Sequence, residues 1–260
     1  MLEDTMTIIE HEIPLLEFDA AQIAVLNPTH DNLGLKFPKK CVFAFLGTYI
    51  DEYAAQYDLK QIATFINATK SFPIYLTEYK DEEIVICQAP VGAAPAVQIL
   101  DWLIGYGVRE IISAGSCGTL TDFPESIFLI PNKALRDEGT SYHYAPPSRF
   151  IDISQQAREA IESTMHEHGL SYQEVTSWST DGFFRETKEK VACRKKEGCE
   201  VVEMECSALA ACAEFRGATW GMILYTADSL ANVDKYDARN WGGDAYAYAM
   251  QLCLDAVIKL

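Results

Sequence analysis

The hydrophobic positions of this chain fall into short apolar runs separated by amphipathic stretches. Cys41 to Gly47 is one such run, closing on glycine, and predicts a buried strand, with a helix from about Ile50 to Tyr57 after it. Phe72 to Tyr79 and Glu83 to Gln88 are β-rich and flank Lys80-Asp81-Glu82, which is a hairpin signature. A helix from about Ala94 to Gly105 precedes a strand from Arg109 to Ala114, and Ser126 to Pro131 reads as another strand. A helix from about Ser154 to His168, a strand near Tyr172 to Trp178 and a charged helix from about Glu186 to Lys196 follow, and a helix from about Ala245 to Lys259 ends the pattern. Strands alternating with helices predict a mostly parallel central sheet, made mixed by the hairpin.

Gly198 to Leu230 carries the most chemistry. It divides into a strand, a helix over Cys206 to Phe215 and a second strand ending on Asp228. Glu203 and Glu205 flank Met204 where the first strand meets the helix, and the period of two puts both carboxylates on one face. The helix is small and apolar nearly all round, the pattern of a helix buried against a sheet. Charge beside it is costly unless used or paired. Gly115-Ser116-Cys117-Gly118-Thr119 reads as a small-residue loop after a strand, either a tight turn or a cradle whose N–H groups take an anion. The donor-rich segment from Arg136 to Arg149 is too long for a simple connector. Residues 1–40 lack periodicity and predict an arm lying over the body of a single domain spanning 1–260.

With 49% hydrophobic residues and no apolar run near the roughly 20 residues of a membrane span, the chain reads as globular. A formal charge of -17 argues against nucleic acid or an anionic membrane as partner, while leaving room for a small anion held by local donors. Eight cysteines without close pair spacing, and an N-terminus without a basic segment, predict reduced thiols and a cytoplasmic setting. His166 and His168 fall two apart on a predicted helix, so they face different ways, and no metal site is expected.

Three motifs together, Ile-Ile-Ser-Ala-Gly-Ser-Cys-Gly at 111–118, Val-Glu-Met-Glu at 202–205 and Tyr-Thr-Ala-Asp at 225–228, resemble the nucleoside phosphorylase family. That family holds hexameric purine nucleoside phosphorylases, uridine phosphorylases and related nucleosidases. The resemblance implies an α/β three-layer sandwich around a central mixed sheet, and a homo-oligomer built from dimers, up to a hexamer. It also implies phosphorolysis of a nucleoside to free base and pentose phosphate. Inorganic phosphate would be the co-substrate, with no metal or organic cofactor.

Carried over by residue, Glu205 matches the glutamate that grips the ribose hydroxyls, Met204 packs beside the sugar and Phe183 lies against the base. Asp228 matches the acid that protonates the leaving purine, and Ser116 the hydroxyl of the phosphate loop. Gly115, Thr180 and Glu203 complete the expected substrate contacts. Read without the resemblance, Glu205 and Asp228 are also capping residues, Phe183 and Met204 also core, and Glu203 a structural pair.

Two departures from the family pattern matter. Asp51 and Ser113 stand where its phosphate-binding arginines belong, leaving Arg136, Arg149, Arg185 and Arg239 as the candidates to bind phosphate. Water in place of phosphate would make the protein a nucleosidase, and loss of catalysis would leave a nucleoside-binding protein. The glutamine and arginine that read a pyrimidine are not cleanly present after Phe183, so the expectation is a purine nucleoside ahead of uridine.

Overall fold

The computed structural model describes residues 7–260. The first six residues of the expected arm lie outside that range. Within the arm, β1 (Ile8–Ile9) pairs antiparallel with β2 (Phe18–Asp19). Phe18 and Phe37 are buried, while Ile23, Val25 and Leu26 stay exposed, so the arm lies over the body and adds little to its core.

The body begins with β3 (Lys40–Ala44) and α1 (Tyr49–Gln56), then β4 (Lys60–Ile66), β5 (Ser71–Tyr79), β6 (Glu82–Gln88) and α2 (Ala93–Gly105). The chain continues through β7 (Glu110–Thr119), β8 (Phe128–Asp137), β9 (Phe150–Asp152), α3 (Gln155–Glu167), β10 (Gln173–Thr180) and α4 (Lys188–Lys196). It ends with β11 (Val201–Glu203), α5 (Cys206–Phe215), β12 (Thr219–Ser229) and α6 (Tyr246–Val257). Among the described residues, no helix is long and apolar enough to cross a membrane.

One mixed sheet organises the body in the order β11-β10-β8-β12-β7-β3-β6-β5-β4, with β9 on β8. The alternation of β3 shows how its two faces are covered. Cys41 and Phe43 pack into the cluster that includes α2 and α5, and Val42 and Ala44 into the one that includes α1, α3 and α6. The result is the three-layer α/β arrangement. The sheet also curls, for β11 pairs parallel with β10 and antiparallel with β7, placing Val201 opposite Thr119. Strands β7, β12, β8, β10 and β11 therefore close into a ring.

Four differences from the pattern-based expectation bear on the body and its cleft, besides the short strands β1, β2 and β9 that the pattern did not mark. Residues 115–119 continue β7 and form no loop. Their small side chains serve close approach: a Cβ at Gly115 would meet Met222 Cε at 2.9 Å, and one at Gly118 would meet Asp228 Oδ1 at 3.1 Å. Strand β8 does not stop at Pro131 but passes it through a bulge that skips Asn132 opposite Val175 and Thr176, a setting in which a strand tolerates proline. Strand β4 extends the hairpin to a third strand that the apolar pattern did not mark, because its residues are half-exposed at the sheet edge. Helix α4 begins two residues later than predicted, where Thr187 Oγ1 caps it by accepting from Lys190 N–H at 3.3 Å, so Glu186 lies outside the helix.

Candidate active site

Strand β11 is only three residues long, and the tight turn from it into α5 decides what the two glutamates do. Glu203 Oε2 accepts from the backbone N–H groups of Glu205 and Cys206, both at 2.6 Å, at the exposed dipole of the helix start. Its Oε1 accepts from the hydroxyls of Ser177 at 2.7 Å and Ser179 at 2.5 Å. With four donors satisfied, Glu203 is the residue that pins the turn, although it borders the cleft described next.

Glu205 is left free by that arrangement. Its carboxylate is buried, 6% exposed, and its Oε1 accepts a short hydrogen bond from Gly92 N–H at the start of α2. Burial, followed by the negative charge of Glu203, holds it well above the usual carboxylate range, and the N–H groups of Gly92 and Met204 only partly oppose this. A buried acid short of donors is poised to accept hydrogen bonds from the hydroxyl groups of a ligand.

Asp228 closes β12 from the opposite side and is 5% exposed. Burial raises its pKa, while the Tyr236 hydroxyl and the charge of Arg239 pull it back. Arg239 is fixed near the end of β12 by donating to the carbonyls of Phe123 at 2.7 Å and Ala227 at 3.4 Å. Glu186 joins Asp228 at this end. Burial, then repulsion from Asp228, pushes the Glu186 carboxyl up to about 7, with Lys190 giving partial relief.

A cleft of about 400 Å³ connects these groups. It brings together Gly115, Ser116, Phe183, Glu203, Met204, Glu205 and Asp228, so seven positions singled out in the sequence share one space. Phe183 is 41% exposed, which leaves its ring free to cover a flat ligand. Phe45, Val91, Met222, Glu186 and Trp241 also line the cleft and were not anticipated. The signal for Glu186 was an acid just past the aromatic and before a helix cap; for Phe45 and Met222 it was the demand of Gly115 for a close partner. Cys117 borders the cleft, but burial and the charges of Glu203 and Asp228 push its thiol well up, so it stays protonated and packs.

The remaining expected contacts lie elsewhere. Arg136 is buried, and its guanidinium donates to Ser141 Oγ, Ser148 Oγ and the carbonyls of Ala145 and Pro146, which ties down the segment that follows β8. Arg149 pairs with Glu197 at 2.6 Å. Arg185 is exposed beside Phe184, and Thr180 is buried with its Oγ1 accepting from Gly182 N–H at 3.2 Å. Neither they nor Arg239 line the cleft. Ser113 is fully buried and accepts from Trp220 Nε1 at 2.9 Å, and Asp51 accepts from the Tyr75 hydroxyl at 2.9 Å. Among the described residues the charged side chains lining the cleft are all carboxylates. No group of three or more His, Cys, Asp or Glu among the described residues is placed to hold a metal ion.

Comparison with known proteins gives the same picture of the fold. The structure resembles uridine phosphorylase from Vibrio fischeri, with a TM-score of 0.71, 20% identity, and 90% of this chain and 95% of that one covered. It also resembles purine nucleoside phosphorylase from Toxoplasma gondii, with a TM-score of 0.71, 17% identity, and 86% and 92% covered. AMP nucleosidase from Bacteroides thetaiotaomicron gives 0.68, 21% identity, and 85% and 88% covered. In sequence, an uncharacterized protein of Acanthamoeba polyphaga mimivirus is 25% identical over 179 residues, and this chain spans 66% of its length. A guanosine phosphorylase of Halorubrum lacusprofundi is 22% identical over 167 residues, 64% of this chain and 69% of that protein. The family model described as the phosphorylase superfamily matches residues 39–259, nearly the whole body, and the chain belongs to that superfamily.

Proposed function

We propose that this protein breaks the N-glycosidic bond of a nucleoside, purine ahead of uridine, and that water is the acceptor. The observation that carries the choice of acceptor is the charge of the cleft: its lining sets Glu186, Glu203, Glu205 and Asp228 around the reacting space with no cation among the described residues. The lining gives a phosphate dianion no cationic partner in a partly desolvated setting, whereas water needs none.

The roles follow from position. Ribose hydroxyls supply Glu205 with the donors it lacks, which favours its ionised form and places negative charge beside a sugar that turns cationic as the bond stretches. Asp228, its pKa raised by burial, delivers a proton to the departing base, and Phe183 covers the base plane. Glu186 accepts from N–H groups on the base edge, which favours a base rich in such donors. Water adds to the anomeric carbon of the oxocarbenium-like sugar as the bond to the base breaks, and the proton it sheds passes to a cleft carboxylate, balancing the one given to the base.

Phosphorolysis is the second reading. It is supported by the names of the similar proteins, three of which are phosphorylases, and by Arg185, whose guanidinium makes no ion pair among the described residues and stands two residues from Phe183. A screen of common nucleosides with and without inorganic phosphate tests both. Release of free base and free pentose without phosphate supports hydrolysis. A strict phosphate requirement overturns it in favour of phosphorolysis. Ligand stabilisation with no turnover in either condition points to a protein that only binds nucleosides.

A further inference from the structure

The carboxylates of the cleft feel two cations, and both are committed elsewhere. Lys190, whose charge relieves Glu186, pairs with Asp137 at 3.1 Å. Arg239, whose charge relieves Asp228, donates to the carbonyls of Phe123 and Ala227 and does not line the cleft. No side chain among the described residues donates a hydrogen bond to the carboxylate of Glu186 or Glu205. Burial holds Glu186, Glu205 and Asp228 above the usual carboxylate range, and a positive charge brought into the cleft returns them toward their ionised forms.

Two aromatic rings border the same space. Phe183 and Trp241 line the cleft and are 41% and 49% exposed. Trp241 is held there by its loop, in which the N–H groups of Asn240 and Gly242 on either side of it donate to Glu125 Oε1 at 2.7 Å and 3.3 Å. Its own φ is +55°, a left-handed backbone that side-chain-bearing residues keep only where the surroundings impose it. A ring face attracts a cation, and carboxylates nearby add to the attraction. A metal ion is not what these features gather, since no group of three or more His, Cys, Asp or Glu among the described residues is placed to hold one. A neutral base uses the rings alone. A flat organic cation uses the rings and the carboxylates together.

We propose that the substrates best suited to this cleft are nucleosides whose base carries a positive charge in its ring, with N7-alkylated purine nucleosides as the purine form. The assignment rests on the N-glycosidic cleavage proposed above. As the bond from the anomeric carbon breaks, its electron pair stays on the ring nitrogen and cancels the charge of the base, which departs neutral without being given a proton. Water adds to the anomeric carbon, and its proton passes through a cleft carboxylate to solvent. The products are the neutral alkylated base, free pentose and a proton. Positive charge moves from base to sugar but stays inside the cleft until that proton leaves, so the carboxylates of the lining favour the transition state as well as the bound substrate.

Cleavage of 7-methylguanosine and guanosine, measured in mildly acidic buffer where the methylated base is cationic, tests the assignment. Each is run with and without inorganic phosphate, so that the choice of acceptor does not enter. The expected kcat/KM for 7-methylguanosine exceeds that for guanosine at least about tenfold. The methylated nucleoside is also intrinsically more labile, but that factor is common to wild type and variants, so a change in the ratio reads recognition. Glu186→Gln and Trp241→Leu, both at partly exposed positions, should each lower the ratio at least about threefold. Cleavage of guanosine with no preference for the cation, or a ratio that neither variant changes, overturns the assignment and leaves the bond cleavage standing. No cleavage of either nucleoside overturns both.

Discussion

The two ends of the cleft are built differently. Where β11, β12 and α5 meet, carboxylates are set in place by backbone N–H groups and buried hydroxyls. At the β3 side the wall is Phe45 and Met222 packed against Gly115, with no charge of either sign. The contrast teaches where a preorganised field is needed. Under the proposed function, breaking the bond demands polarisation at the sugar and at the base, and the fold sets carboxylates at that end of the cleft. The uncharged end is shaped by packing alone.

The strongest break in this contrast is Glu205→Gln, which should lower kcat/KM about a thousandfold with unchanged circular dichroism. A loss below about tenfold would move the sugar contact off Glu205. Next, Asp228→Asn should reduce kcat for a purine nucleoside about a hundredfold while KM hardly moves, and an unchanged kcat would remove Asp228 as the proton donor. Glu203→Ala should act on stability: four donors lose their acceptor, and urea denaturation should show a loss of about 3 kcal/mol. Equal stability would mean that the turn into α5 holds without it.

The smallest effect should come from Glu186→Gln, read as a function of pH. The Glu186 carboxyl lies above its usual range in the folded protein, at about 7, so the native state holds a proton there that the unfolded chain has given up. Its contribution therefore makes stability fall as pH rises from the ordinary carboxylate range through about 7. The glutamine variant should lack this part of the slope and gain stability relative to wild type above neutrality, checked by melting temperature across pH. Parallel curves for the two proteins would show that Glu186 is not desolvated as described.

The sheet, the two covered faces and α5 were legible because their apolar periods are strong. The shared strand face expected for Glu203 and Glu205 was not borne out, because β11 ends at Glu203 and Glu205 lies in the turn into α5, and their division of labour was not legible either. It depends on Ser177 and Ser179, one strand away in space and far away in sequence. The stretch 115–119 was misread because glycine and serine mark close approach as readily as a turn, and only the partners Met222 and Asp228 tell the two apart. Arg136 looked like a phosphate ligand because composition shows a free guanidinium, whereas its four acceptors come from the chain just after it.

The pairing of Ser113 with Trp220 limits what position 113 can carry. An arginine placed at this position would strip the indole of its acceptor and drive a guanidinium into a fully closed interior, so that single exchange should yield an unstable protein. A designer would have to remake the tryptophan first. The identity of residue 113 is thereby tied to the interior packing, and a larger side chain there requires a coordinated change at Trp220.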